Sequence, residues 1–151
     1  MDWRCVILME PWCISPPEFC PDERVVSLVS HPPEIEPGTK ATIVAPHTGS
    51  LYAVQLPDGE LHRWFARFEL EPLDCSLKGC ELLCPGSMAR IISTEGHPSH
   101  VMIGTIVKIV KVIERVVYYD LIINYHGYHR WLAEFEIVPL SIVDGRCEKG
   151  L

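Results

Sequence analysis

His62-Arg63-Trp64-Phe65-Ala66-Arg67-Phe68-Glu69-Leu70-Glu71-Pro72-Leu73 returns later in the chain as His129-Arg130-Trp131-Leu132-Ala133-Glu134-Phe135-Glu136-Ile137-Val138-Pro139-Leu140. Eight of the twelve positions are identical, too many for shared composition, so the chain contains an internal duplication. Upstream, Ile35-Glu36-Pro37-Gly38-Thr39-Lys40-Ala41-Thr42-Ile43-Val44 pairs with Leu83-Cys84-Pro85-Gly86-Ser87-Met88-Ala89-Arg90-Ile91-Ile92, which sets each copy to open on Pro-Gly. This divides the 151 residues into a Pro/Cys-rich amino-terminal segment (1–34), a short first repeat (35–73), a linker (74–82), a second repeat (83–143) and a flexible tail (144–151).

The local signals are those of β-structure. Pro11, Pro16, Pro17, Pro21, Pro32 and Pro33 forbid a long helix in the first segment, whose two apolar runs read as edge strands laid on the first repeat. Pro57-Asp58-Gly59-Glu60 reads as a hairpin turn into the strand that carries Trp64. In the second repeat, residues 103–113 and 116–124 are rich in Val and Ile, and read as a β-hairpin turning at Glu114-Arg115. The fold class expected is all-β.

A small β unit with a Pro-Gly start, a Gly104-Thr105-Ile106-Val107 strand entry and a Trp strand followed by Phe135-Glu136-Ile137 resembles the SH3-like small barrels, closest to their bacterial accessory and KOW-type variants. The resemblance implies two tandem SH3-like barrels over about 35–140, the first shortened and completed by the amino-terminal strands. Phe68-Glu69-Leu70 and Phe135-Glu136-Ile137 would each plug a barrel end.

Charge and composition narrow the function. A net charge of -7 repels a phosphate backbone, and the densest basic cluster, Lys108, Lys111 and Arg115, is interrupted by Glu114, so nucleic-acid binding of the KOW type is the third choice. The amino-terminal apolar run from Cys5 to Met9 is too short for a signal-peptide core. The longest apolar stretch, 101–117, carries Lys108, Lys111 and Glu114, so no membrane span and a cytoplasmic location are expected. Seven cysteines then read as free thiols or metal ligands.

Strand periodicity of two puts His62, Trp64 and Ala66 on one face and Arg63 and Phe65 on the other; His129, Trp131 and Ala133 repeat the first face. That face is either core or a recognition surface. With Arg63, Arg130, Tyr118, Tyr125 and Tyr128 added, it is the candidate partner-binding surface, since Trp, Tyr and Arg dominate interface energetics. Cys75, Cys80 and Cys84 on the linker, with Cys13 and Cys20, are the candidate metal set, for zinc or another transition metal, although zinc favours paired Cys knuckles and only Cys80/Cys84 forms one. His97/His100 and His126/His129 are weaker pairs for the same chemistry. No nucleophile-base order, phosphate loop or His-Glu-x-x-His helix appears, so no enzyme and no cofactor are expected. The reading is a non-catalytic accessory module that holds a protein partner through loops and an aromatic hairpin face, with metal handling as the alternative.

Overall fold

A computed structural model describes residues 16–32, 34–73, 83–124 and 127–140. These residues contain no α-helix. They form eight strands: β1 (Arg24–Ser27), β2 (Lys40–Gln55), β3 (Leu61–Ala66), β4 (Leu70–Pro72), β5 (Met88–Ile91), β6 (Ile106–Ile123), β7 (Gly127–Ala133) and β8 (Ile137–Pro139). Single 3-10 turns, Arg67–Glu69 and Glu134–Glu136, join β3 to β4 and β7 to β8.

All pairings are antiparallel and make one sheet in the order β4-β5-β6-β2-β1-β8, with β3 added to β2 and β7 to β6. The sheet is not closed. Its axis is the β2–β6 pair, which runs from Ala41↔Ile123 to Gln55↔Lys108. Strands of 16 and 18 residues are far longer than the usual five or six and cannot stay flat. Register shifts between Ile43 and Ala45, Gly49 and Leu51, and Ala53 and Val54 let them bend. The hairpin expected at Glu114-Arg115 is therefore replaced by continuous β6, in which Arg115 takes a left-handed φ of 56°. Neither residue supplies a two-residue hairpin turn, and β2 satisfies the β6 backbone on both sides of the kink.

Each long strand serves both halves of the molecule. One half joins β1, the start of β2, the end of β6, β7 and β8 around Val25, Ile43, Tyr119, Leu121 and Leu132. The other joins β4, β5, the start of β6, the end of β2 and β3 around Val54, Phe65, Leu70, Ile91 and Ile109. A third cluster, Leu51, Trp64, Ala66, Tyr118, Trp131 and Ala133, lies where the two meet.

The hydrogen bonds also redraw the upstream part of the repeat. Asp22 N donates to Ile43 O as Gly86 N does to Ile109 O, and Glu23 N donates to Cys20 O as Ser87 N does to Cys84 O. Gly38 N to Ser27 O is matched by Gly104 N to Ile91 O, and Leu28 N to Glu136 O by Ile92 N to Glu69 O. Cys84-Pro85-Gly86 thus corresponds to Cys20-Pro21-Asp22, where Asp22 shares the positive φ of Gly86, and not to Glu36-Pro37-Gly38. On this correspondence His31-Pro32 matches His97-Pro98, and Gly38-Thr39 matches Gly104-Thr105. The first copy includes β1.

Phe68 and Phe135 do not plug anything: they are 55% and 60% exposed, while the neighbouring Leu70 and Ile137 are buried. In a 3-10 turn three residues make one revolution, so only one of the three consecutive side chains faces inward, and here it is the glutamate.

Candidate functional site

The bulge opposite Tyr52/Ala53 breaks the alternation expected of β3: Tyr52 pairs with Phe65 and Ala53 with Arg63, leaving Trp64 between. Trp64, Phe65 and Ala66 are all buried, and the His62 ring packs 5.2 Å from Phe65 instead of facing the other way. β7 has the same shift between Tyr119 and Asp120. Both Arg-Trp peptide bonds, Arg63-Trp64 and Arg130-Trp131, are cis.

The two tryptophans are held by exchange. Trp64 Nε1 donates to Glu136 Oε1 at 3.0 Å, and Trp131 Nε1 donates to Glu69 Oε1 at 2.7 Å. Each carboxylate also fixes its own turn, accepting from Ala133 N (2.8 Å) or Ala66 N (2.9 Å). The second oxygens face histidines: His31 Nε2 lies 3.1 Å from Glu136 Oε2, and His97 Nε2 lies 3.0 Å from Glu69 Oε2. Buried carboxylates need this many partners, because leaving a lone pair unmet in a dry site costs several kcal/mol. The Glu136 carboxyl is pushed up by burial, but its bonds from His31, Ala133 and Trp64 outweigh that and hold it below the usual range. Burial first, and the neighbouring His97 second, depress His62 to about 3; burial, with His31 and His97, depresses His129 to about 4.

The halves then diverge. In one, Arg130 Nη1 reaches Glu69 Oε2 at 3.2 Å, Arg130 Nε donates to Tyr128 Oη at 2.9 Å, Tyr128 Oη donates to Asp120 Oδ2, and Asp120 Oδ1 faces His47 Nε2 at 3.0 Å. Arg130 N donates to Gly96 O, and the guanidinium lies over the Trp131 and Phe68 rings. Burial raises the Tyr128 hydroxyl to about 12, and its bond to Asp120 adds to the shift. These bonds tie Arg130 down. In the other, the register puts Ala53 where Asp120 stands and Leu61 where Tyr128 stands. With neither anchor, Arg63 does not reach Glu136; its Nη2 donates at 3.3 Å to Ser30 O, and a cleft of about 480 Å³ opens, lined by His31, Ala53, Leu61, His62, Arg63, Val110 and Lys111 among others.

Of the residues proposed as a partner surface, His62, Trp64, Tyr118, His129 and Trp131 are buried, and Tyr118 packs edge-on to Trp131. Their chemistry is spent inside. Arg63 is exposed at the cleft, whereas Tyr128 and Arg130 belong to the hydrogen-bonded network with Asp120 and Glu69. Tyr125 and His126 lie outside the described residues, as do Cys13, Cys75 and Cys80 of the candidate metal set. Cys20 is in a disulfide and so has no thiolate to give a metal, and Cys84 is an exposed free thiol. Among the described residues no three His, Cys, Asp or Glu side chains are grouped to hold an ion, His97 being spent on Glu69 and His100 on Glu60. The sequence reading missed His31, Glu69 and Glu136 as a unit. The repeated His-Pro, at Pro32 and Pro98, was the signal that could have found His31.

No family model matches the chain, and no curated protein does. Solved structures do. The fold is shared with the DUF1541 protein ydhK of Bacillus subtilis. The crystal structure of the DUF1541 family protein ydhK from strain 168 superposes with a TM-score of 0.59 at 21% identity, over 83% of this chain and 86% of its own. A second ydhK crystal structure gives 0.56 at 22%, over 80% and 99%. The solution structure of the ydhK carboxy-terminal domain gives 0.55 at 21%, over 79% and 92%. At that identity ydhK speaks for the antiparallel all-β fold alone. No helix among the described residues is long and apolar enough to cross a membrane.

Proposed function

We propose that this chain is a non-catalytic binding module that seats a protein partner in the cleft over β2, β3 and β6. One observation carries the reading: of two equivalent arginines built by duplication, Arg130 is tied into the Asp120-Tyr128-Arg130-Glu69 chain, whereas Arg63, with Ala53 and Leu61 in place of those anchors, stands at an open cleft. A purely structural duplication has no need for that difference, and concave, mostly apolar sites with a few polar groups are where ligands bind. Among the described residues His31, His97, Glu69 and Glu136 are occupied with one another and with the tryptophans, which supports a binding role for the site. The SH3-like reading of each half is supported by its all-antiparallel pairing, its Trp-bearing strand and the single 3-10 turn before the last strand.

The test is to rebuild the anchors. Ala53→Asp combined with Leu61→Tyr supplies the missing anchors for Arg63 and should close the cleft while keeping the fold. Proteins that co-purify with the full chain from its own cells should be lost from the double variant, with an unchanged thermal midpoint. Equal retention by both proteins would remove the cleft as the docking site.

A further inference from the structure

The open cleft carries a local excess of positive charge. Arg63 and Lys111 both stand opposite Ala53, one on each neighbouring strand, so the three form a row across β3-β2-β6 with the small residue in the middle. Leu61 and Lys108 flank Gln55 in the same way. A second cleft of about 380 Å³ adjoins the first and shares Leu61 and Val110 with it. The floor of the combined groove is aliphatic: Leu61 is 64% exposed and Val110 42%. Among the described residues none of Arg63, Lys108 and Lys111 has an ion-pair partner, and the acid at the rim, Glu60, is held by His100 Nε2 at 3.0 Å. Three uncompensated cations around an aliphatic floor, on a protein of net charge -7, form a local field of the opposite sign.

We infer that the groove over β3-β2-β6 takes an extended acidic polypeptide segment, one aliphatic side chain resting on Leu61 and Val110 and flanking carboxylates meeting Arg63, Lys108 and Lys111. This rests on the docking reading above and names its ligand class. The spacing suits such a ligand. Successive rows lie two residues apart, about 7 Å, which is also the separation of same-face side chains in an extended peptide, and neighbouring strands lie about 4.8 Å apart. A single-stranded nucleic acid would instead need exposed aromatic faces for its bases, and no Phe, Tyr or Trp lines either cleft.

The probe is a dye-labelled peptide of alternating glutamate and leucine, with a lysine-for-glutamate counterpart and an oligothymidylate as comparators, read by fluorescence polarisation against the full chain. The acidic peptide should bind about tenfold or more tightly than either comparator and weaken as salt is raised. Lys111→Glu and Lys108→Glu should each weaken it several-fold, whereas Lys40→Glu, the same charge change on exposed β2 residue Lys40 away from the groove, should not. Should a variant unfold, amide chemical-shift changes in the unaltered protein confined to residues 60–63 and 108–111 give the same answer. Equal binding of the two peptides, preference for oligothymidylate, or equal loss in Lys40→Glu would overturn the inference. If Ala53→Asp/Leu61→Tyr releases the natural partner while the acidic peptide fails to bind, the ligand class falls and the docking site stands.

Discussion

Acid should unfold this protein through two particular histidines. His62 and His129 are buried and depressed from 6.5 to about 3 and about 4, chiefly by loss of water and then by the other imidazoles. In the unfolded chain both titrate near 6.5, so below that pH the unfolded state binds protons that the folded state refuses. Stability is therefore fully present above about pH 6.5 and falls as pH drops, until the folded values are reached. At pH 5 the gap is about 1.5 units per group, or roughly 2 kcal/mol each and roughly 4 kcal/mol together, against a usual total of about 5–15 kcal/mol. Glu136 and Asp120, held below their ordinary values, act in the same direction at lower pH, because their stabilisation is present above the unfolded carboxylate value and is lost as they protonate. Urea titrations between pH 5 and 7.5 on the unaltered chain, His62→Gln and His129→Gln read the slope. Each substitution should remove about half of the pH dependence above pH 5, whatever it does to the stability at neutral pH. A slope unchanged in both variants, or flat in the unaltered chain, would mean that these imidazoles are not buried neutral.

Trp64→Ala and Trp131→Ala should each cost about 3–5 kcal/mol in urea midpoints, since each empties a core site and strips a partner from a buried carboxylate; a loss under about 1 kcal/mol would place the indole at the surface. Gly96→Ala should cost about 1–3 kcal/mol, because a Cβ there would lie 3.0 Å from Arg130 N at a φ of +80°, while the matched change at Gly38, where nothing lies within 4 Å, should cost only the strain of its φ. Polypeptides cut between residues 78 and 79 should each lack cooperative unfolding and regain a β-type far-ultraviolet spectrum when mixed in equal amounts, since β2 pairs along its length with β6 and each Trp needs the other copy's Glu. A cooperative transition in either fragment alone would contradict this.

The duplication, the all-β class and the equivalence of Trp64 with Trp131 were legible from residue order, because identity at fixed spacing and β-branched, proline-broken runs are local properties. Phe65 and Leu132 could be placed in the core by hydrophobicity. Other features depended on which strands meet. A bulge at Trp64 reverses which neighbours share a face, and nothing in the alternation of β3 announces it. The upstream match to Glu36-Pro37-Gly38 followed the shared Pro-Gly letters, and the bonds to Ile43 O and Ile109 O instead align Cys84-Pro85-Gly86 with Cys20-Pro21-Asp22. Glu69 and Glu136 sit within a repeated phrase, yet each binds a Trp of the other copy, 62 and 72 residues away along the chain. The open cleft is the clearest case. Arg63 and Arg130 are the same letter in the same phrase, and what separates them is that the strands bring Ala53 and Leu61 to one and Asp120 and Tyr128 to the other. A guanidinium turns toward whatever acceptors surround it, and those acceptors are assembled by tertiary structure.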